Sequence, residues 1–177
     1  IYVSSSAIYL TQVDYGEADS RTLVHSYSLS AELNYLGSGV VDGALVLSGD
    51  RDFRINEHEG YLRLVTSQRT ASAEDRIDHQ LSVLKLATDK PEFNLVATLP
   101  NAERTAAIGK PNEDLYGVRF FGDKLYLVTF ERIDPLYVLD LSDPLDPLIA
   151  GELSVTGFSD FLHPVNDELL LGLGQDE

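Results

Sequence analysis

One strand-like segment recurs four times along this chain, and this repetition constrains the fold more than any other feature of the sequence. The copies are short and rich in Leu, Val and Tyr, and lie at residues 7–11, 61–66, 125–129 and 169–171. Short apolar runs that are bounded by turn residues predict β-strands. Repetition at this period is typical of arrays that are built from one supersecondary unit.

Each copy has further predicted strands around it, so the repeating unit contains four strands. A first strand precedes the copies at residues 1–4, 52–56, 116–121 and 158–162. A third strand follows at residues 25–29, 81–86 and 136–141, and a fourth at residues 33–39, 93–99 and 148–155. The repeats differ mainly in polar connections, such as residues 68–79 and 102–114, where insertions are expected to form loops.

The predicted connections agree with antiparallel pairing within each unit. Residues 59–60, 122–123 and 166–167 lie between first and second strands and contain Gly, Asn or Asp. These residue types tolerate the positive φ angles of tight hairpins. No stretch of the chain shows a helical period, so we expect minimal helix.

Units of four antiparallel strands predict the blades of a β-propeller, in which blades stack to bury both faces of each sheet. We therefore predict an all-β fold with about three and a half four-stranded antiparallel blades in an open arc. The predicted blades are residues 1–43, 51–101 and 115–155, with a half-blade at 157–174, all within one domain. The first strand of each blade is expected nearest the axis. A β-sandwich is the rival, but a sandwich needs no repeated strand order.

The charge of the chain narrows the classes of partner. There are 13 basic and 29 acidic side chains, a net charge of −16, which disfavours nucleic acid and anionic membrane surfaces. The absence of Cys excludes disulfides, thiolate metal sites and Cys nucleophiles. No apolar run reaches the roughly 20 residues that a membrane-spanning helix needs. Since the sequence starts at Ile1, a removed targeting segment stays an open alternative.

Two acidic segments are candidate metal sites. Residues 140–147 bring three Asp side chains into one connection, and clustered oxygens suit calcium. The segment lacks the Gly-hinged ligand series and the distal Glu of a calcium loop, so a turn stabilised by Asp, Ser and Pro is favoured. Residues 50–52 are a weaker candidate.

The four histidines are widely spaced, without the local pairs of a zinc site. We expect His58 and His79 in exposed loops, His25 on a strand and His163 at a strand end. The sequence also lacks a nucleophile elbow and a dinucleotide fingerprint. We therefore assign no catalytic, cofactor-binding or metal-binding residue and expect no cofactor.

Several segments resemble a known family. Residues 59–66, 116–123, 130–144 and 157–164 are similar to a family of secreted prokaryotic proteins that carry a C-terminal β-propeller domain distantly related to WD40 repeats. The resemblance implies a secreted or cell-envelope location and a propeller longer than this chain. It implies no established activity and no catalytic residues.

Three functions follow from these observations. The first is an extracytoplasmic binding or scaffold module with a protein or glycan ligand, because propellers present many loops on a rigid frame. The second is a hydrolase with a composite site in the central channel, and the third is a structural component of the cell envelope. We expect no membrane insertion by this segment. Its open ends are expected to pack on the remaining blades of a parent chain or on another copy.

Overall fold

The computed structural model describes residues 1–16, 19–45, 53–70, 76–110, 112–130, 134–155, 158–166 and 169–175. These residues form 14 strands in four antiparallel sheets, and no helix occurs among them. The described part of the chain thus contains no helix that could cross a membrane. The four sheets follow one another along the chain and do not close into a barrel.

The first two sheets each contain four consecutive strands in sequence order. The strands of the first sheet are β1 (Tyr2–Val3), β2 (Ala7–Tyr15), β3 (Ser20–Ser28) and β4 (Tyr35–Asp42). The strands of the second sheet are β5 (Ile55–His58), β6 (Tyr61–Thr70), β7 (Arg76–Leu86) and β8 (Phe93–Leu99).

The third sheet repeats this order, and the fourth contains two strands in the described residues. The strands of the third sheet are β9 (Asp114–Phe121), β10 (Lys124–Phe130), β11 (Asp134–Asp140) and β12 (Leu148–Val155). The fourth sheet consists of β13 (Phe158–Pro164) and β14 (Leu170–Gln175). First strands lie at sheet edges and third strands in sheet interiors, as the predicted strand order requires. Their distance from the axis stays a prediction.

The second and third strands are longer than the sequence pattern predicted. Residues 68–79 were predicted as a connection, but Gln68 and Arg69 pair with Asp78 and Ile77 in the β6–β7 hairpin. That prediction was wrong at both ends of the segment, because backbone pairing continues past the apolar part of the strands. Residues 71–75 lie outside the described part. The first strand of the second unit differs in the opposite direction, because β5 begins at Ile55, three residues later than predicted.

The predicted hairpin between β5 and β6 is confirmed by its backbone angles. Glu59 and Gly60 have φ values of 49° and 77°. Two consecutive positive φ angles are the signature of a type I′ turn, whose twist matches that of the flanking strands. The equivalent turn before β10 contains Gly122 at φ 53°. The third predicted turn includes residue 167, which lies outside the described part.

The core lies between sheets, so the two central sheets are buried on both faces. Apolar residues of the first and second sheets form one cluster: Ala7, Tyr9, Val24, Val41, Leu45, Ile55, Leu62, Leu64, Leu84 and Phe93. A second cluster joins the second and third sheets through residues such as Val65, Leu81, Val83, Leu125, Leu127 and Leu139. A smaller cluster joins the third and fourth sheets through Tyr126, Val128 and Leu162. Side chains at alternate positions of one strand therefore pack in two different interfaces between sheets.

Removing a side chain from an interface between sheets should destabilise the chain. Leu81 is fully buried between the second and third sheets, so we expect Leu81→Ala to lower the free energy of unfolding by about 2–5 kcal/mol. Leu95→Ala is the matched control, because Leu95 is 52% exposed on β8, and it should change stability by about 0.5 kcal/mol or less. Urea unfolding followed by circular dichroism measures both. Equal losses in the two variants would contradict the proposed core.

Candidate functional site

A cavity of about 410 Å³, whose lining residues are mainly polar or charged, lies between the first and second sheets, where the β2–β3 and β6–β7 hairpins extend past the apolar core. It is lined by Asp19, Ser20, Arg21, Asp42, Gly43, Thr66, Gln68, Asp78, His79, Gln80 and Pro100. The first sheet supplies the start of β3 and the end of β4. The second sheet supplies the end of β6 and the start of β7. The cavity volume falls within the range of small-molecule pockets.

The connection that leaves the first sheet is fixed against β6, and this contact shapes the cavity. Gly43 has φ +85°, and a Cβ atom there would lie 2.9 Å from Thr66, so glycine is required. The Thr66 hydroxyl donates to the Asp42 carbonyl at 2.7 Å. Ala44 and Ser67 exchange two backbone hydrogen bonds of 2.8 Å. The two sheets are therefore joined by hydrogen bonds beside the cavity, which gives it a rigid wall.

Carboxylates dominate the charge of the lining. Asp19, Asp42 and Asp78 carry three negative charges, and Arg21 carries the positive charge among the lining residues. Each carboxylate has a partner: Asp78 binds Arg76 at 2.7 Å, and Asp42 lies 3.7 Å from Arg21. The Gln68 amide donates to Asp19 at 3.1 Å. The cavity thus has an acidic excess within a hydrogen-bonded rim.

His79 connects the cavity to a buried polar network between the second and third sheets. It is 3% exposed, which corrects the prediction that it lies in an exposed loop. Its Nε2 lies 2.8 Å from the Glu113 carbonyl oxygen, which can only accept, so Nε2 carries the proton and donates. Its Nδ1 accepts from the Ser67 hydroxyl at 2.8 Å. Both ring nitrogens are therefore used by a neutral imidazole.

Arg54 completes this network and is 1% exposed. It donates to the Ser67 hydroxyl at 3.1 Å and to the Leu115 carbonyl at 3.0 Å. Ser67 therefore accepts from Arg54 while it donates to His79. Burial lowers the pKa of Arg54, and the nearby Asp114 carboxylate opposes this shift. The network links β6, β7 and the segment that enters the third sheet.

Glu113 also holds the segment that enters the third sheet. It is 4% exposed, and its carboxylate accepts from the Thr129 hydroxyl at 2.5 Å and from the Lys110 backbone amide at 2.8 Å. Thr129 occupies in β10 the place that Thr66 occupies in β6, the equivalent strand of the preceding unit. Each of these threonines binds the connection that arrives from the preceding sheet. The hydroxyl at this position thus has the same role in two units.

The buried hydrogen bonds of Ser67, His79 and Arg54 hold the sheets together and are not placed to act on a substrate. Ser67 and His79 form a hydroxyl–imidazole pair, but Ser67 is 1% exposed and already accepts a hydrogen bond from Arg54. The second nitrogen of His79 donates to a backbone carbonyl and not to a carboxylate. A serine nucleophile needs access to substrate and a base that can accept its proton. The Nδ1 of His79 is placed to accept the Ser67 proton, but the burial of Ser67 leaves its hydroxyl without access to substrate.

A second polar cluster joins the first two sheets near β1 and β5. The Glu57 carboxylate accepts hydrogen bonds from Ser4 and Ser6, the latter at 2.7 and 2.8 Å to its two oxygens. The Glu57 amide donates to the Tyr2 hydroxyl at 3.0 Å. Burial, and then the Glu57 charge, raise the pKa of Tyr9. The carboxylate oxygens are occupied, so this cluster is a link between sheets.

The acidic segment 140–147 forms a turn, as favoured from the sequence. Asp140 accepts from the Ser142 amide and Asp143 from the Leu145 amide, both at 2.9 Å. Asp146 instead binds the Arg104 guanidinium. The described residues contain no group of three or more side chains that could hold a metal ion. The other predicted candidate, residues 50–52, lies outside the described part.

The structure keeps the remaining histidines apart. His25 lies on β3, as predicted. His58 was predicted in a loop but ends β5, and its Nε2 lies 3.2 Å from Asp123. His163 lies on β13 near its end and is exposed.

The sequence did not predict the cavity. Its lining residues are spread between positions 19 and 100 of the chain and come together only in the folded structure.

The buried imidazole of His79 should make stability depend on pH. Burial lowers the pKa of His79 below its ordinary value of 6.5, and the Arg54 charge adds to this shift, whereas the Glu113 carbonyl, Asp114 and Asp78 oppose it. As pH falls below about 6.5, the unfolded chain takes up a proton before the folded chain does. The free energy of unfolding should therefore be fully retained above this pH and decrease below it. Urea unfolding at a series of pH values measures this.

Two variants separate this effect from that of the carboxylates. His79→Gln should make the free energy of unfolding depend less on pH between about pH 5 and 7. Leu95→Ala, which changes an exposed side chain without removing a titratable group, should leave the pH dependence unchanged. An unaltered slope in His79→Gln would contradict the assignment of a neutral, buried imidazole.

Comparisons with known proteins agree with the architecture. A protein of Methanocaldococcus jannaschii, described as uncharacterised, is 35% identical over 140 residues, which cover 79% of this chain and 20% of that protein. An uncharacterised protein of Archaeoglobus fulgidus is 34% identical over 158 residues, which cover 86% of this chain and 21% of that protein. The chain thus spans about a fifth of the length of these curated relatives.

The family comparison covers the whole chain. The model of the family described as "Beta propeller domain" matches residues 1–177. Together with the four successive antiparallel sheets, this match confirms the predicted fold of a partial propeller. The chain belongs to the β-propeller domain family.

Proposed function

We propose that this chain is a recognition module of a larger extracytoplasmic protein, and that the cavity between its first two sheets receives part of the ligand. The observation that carries this proposal is a cavity of about 410 Å³ at the hairpin ends of the sheets, with Asp, Gln and Ser side chains among its lining residues. Membership of the β-propeller family supports a binding or scaffold role. Ligand sites in proteins are typically concave and contain a few convergent polar groups.

A protein ligand with an exposed Lys or Arg side chain fits the cavity best. The lining carries an acidic excess, and Gln68, Gln80 and Ser20 add amide and hydroxyl groups. The lining contains no Tyr, Phe or Trp among the described residues, so a sugar ring would find no stacking surface there. A basic side chain can bind carboxylates without such a surface. A glycan is the second class of ligand to test.

Binding is favoured over hydrolysis by the state of the buried groups. Ser67 and His79 are enclosed, and their polar atoms already have partners.

The resemblance of residues 116–164 to secreted prokaryotic proteins supports the extracytoplasmic location. Fractionation of cells that make the natural protein tests this location. Recovery of the protein in the cytoplasmic fraction would contradict it.

Titration with short Lys- and Arg-containing peptides tests the cavity. We expect the backbone amide resonances of Ser20, Gly43 and Gln68 to shift on binding. Asp78→Asn should weaken binding about two- to fivefold, the usual size of an exposed ion pair. Glu103→Gln removes the same charge from an exposed loop outside the cavity and controls for attraction to the net charge.

The outcomes of this titration are distinct. Equal losses in Asp78→Asn and Glu103→Gln would mean that the peptides bind by net charge alone, which contradicts a defined site. Shifts at the cavity with neutral oligosaccharides, and none with basic peptides, would replace the protein ligand with a glycan.

Nucleic acid should not compete for this surface. The net charge of −16 repels phosphate, and affinity for nucleic acid depends on basic side chains that neutralise phosphates. A gel-shift titration at physiological salt should show no complex. A complex that weakens steeply as salt increases would contradict this expectation.

A further inference from the structure

Two carboxylates in the lining of the cavity already accept a hydrogen bond at one of their oxygens. The Gln68 amide donates from Nε2 to Oδ1 of Asp19 at 3.1 Å. The Arg76 guanidinium donates from Nε to Oδ1 of Asp78 at 2.7 Å. Asp19 lies directly before β3 and Asp78 lies on β7, so each of the two sheets contributes one of these carboxylates. A ligand that binds both carboxylates must bind beside these donors.

The Gln68 side chain is held in the orientation that directs its NH2 group to Asp19. An ionised carboxylate can only accept, so the amide nitrogen, and not the amide oxygen, faces it. The Gln68 oxygen accepts from the Ser20 hydroxyl at 3.0 Å. Gln68 is also paired with Asp78 across β6 and β7. The two carboxylates therefore lie on either side of one fixed amide group.

A second amide in the lining has no hydrogen bond with the described part of the chain. Gln80 is half-buried and lies two residues from Asp78, on the same face of β7. Across the strand pair it lies opposite Thr66, which also lines the cavity. Ser82 follows on this face of β7, and its buried hydroxyl likewise has no partner among the described residues. This face thus offers a carboxylate and, next to it, a neutral amide acceptor.

This arrangement suits an ammonium group better than a guanidinium group. A guanidinium binds a carboxylate most strongly through two parallel N–H bonds, one to each oxygen. In both carboxylates another donor already competes for one of the oxygens. An ammonium is compact and has three donors, so it can bind single oxygens of several acceptors at once. The described lining also contains no aromatic ring on which a guanidinium could stack.

We propose that the cavity binds a lysine side chain in preference to an arginine side chain, with Asp19, Asp78 and Gln80 as the acceptors of its ammonium group. This inference rests on the proposed function, because it requires a basic ligand in the cavity. Gln68 then determines specificity, since it competes with the second N–H of a guanidinium for the Asp19 carboxylate. Gln80 determines specificity as well, since its amide oxygen accepts the third N–H of an ammonium.

Titration with three acetylated and amidated tripeptides tests this preference, with dissociation constants taken from the shifts of backbone amide resonances. Gly-Lys-Gly should bind about fivefold more tightly than Gly-Arg-Gly, a difference worth about one hydrogen bond. The same lysine peptide with a trimethylated ammonium keeps its charge but has no N–H donor. It should bind no more tightly than Gly-Arg-Gly, because the described lining holds no aromatic cage for a quaternary ammonium.

Two variants should remove the preference in opposite ways. Gln68→Leu leaves both Asp19 oxygens to the ligand, so the arginine peptide should bind about fivefold more tightly than it binds the wild type. Gln80→Leu removes the third acceptor, so the lysine peptide should bind about fivefold more weakly. Gln12→Leu makes the same change at an exposed position of β2 outside the lining, and both dissociation constants should stay at their wild-type values. Circular dichroism checks that all three variants are folded.

The outcomes separate this inference from the proposed function. If no peptide shifts the resonances of the cavity, a basic ligand and the preference for lysine are both wrong. If the arginine peptide binds the wild-type chain as tightly as the lysine peptide, the site remains and only the preference is wrong. A trimethylated peptide that binds as the unmodified peptide does would mean that charge alone determines affinity. A fivefold preference that persists in both Gln68→Leu and Gln80→Leu would overturn the roles of these two residues.

Discussion

Each central sheet of this chain has two apolar faces, and both must be buried when the chain folds. In β7 the four consecutive residues 81–84 are all buried, because alternate side chains enter different interfaces. Such a strand cannot lie at a solvent-facing surface. Sheets must therefore stack in series, with each central sheet packed between two others.

Polar groups between the sheets are placed where the backbone enters the next unit. Arg54 and His79 are buried, yet each of their bonded atoms meets a hydroxyl or a carbonyl oxygen. Burying such groups is costly unless they are hydrogen-bonded, so the network holds the segment around Glu113 and Leu115 in one position. The repeated threonines, Thr66 and Thr129, act in the same way on successive connections. Apolar packing joins the sheets, and these polar contacts determine how each connection lies.

The cavity is a consequence of the same arrangement. The hairpins of the first and second sheets extend past the apolar core, and the cavity lies between their polar ends. Gly43 lets the connection pass close to Thr66 and forms part of the wall. The candidate site thus uses residues that the packing of the sheets does not need. This is typical of binding sites on loops and hairpin ends that a rigid frame supports.

The strand order, the hairpin at Glu59–Gly60 and the turn at residues 140–147 could be predicted from the sequence alone, because they depend on short-range pattern and on residues that favour turns. It could not determine that residues 68–70 and 76–79 continue the β6–β7 hairpin, since backbone pairing does not require apolar side chains. The tertiary structure decided the burial of His79, because its partners Ser67 and Glu113 come from another strand and from the next unit. It also decided the cavity, whose lining is assembled from two sheets that meet only after the chain has folded.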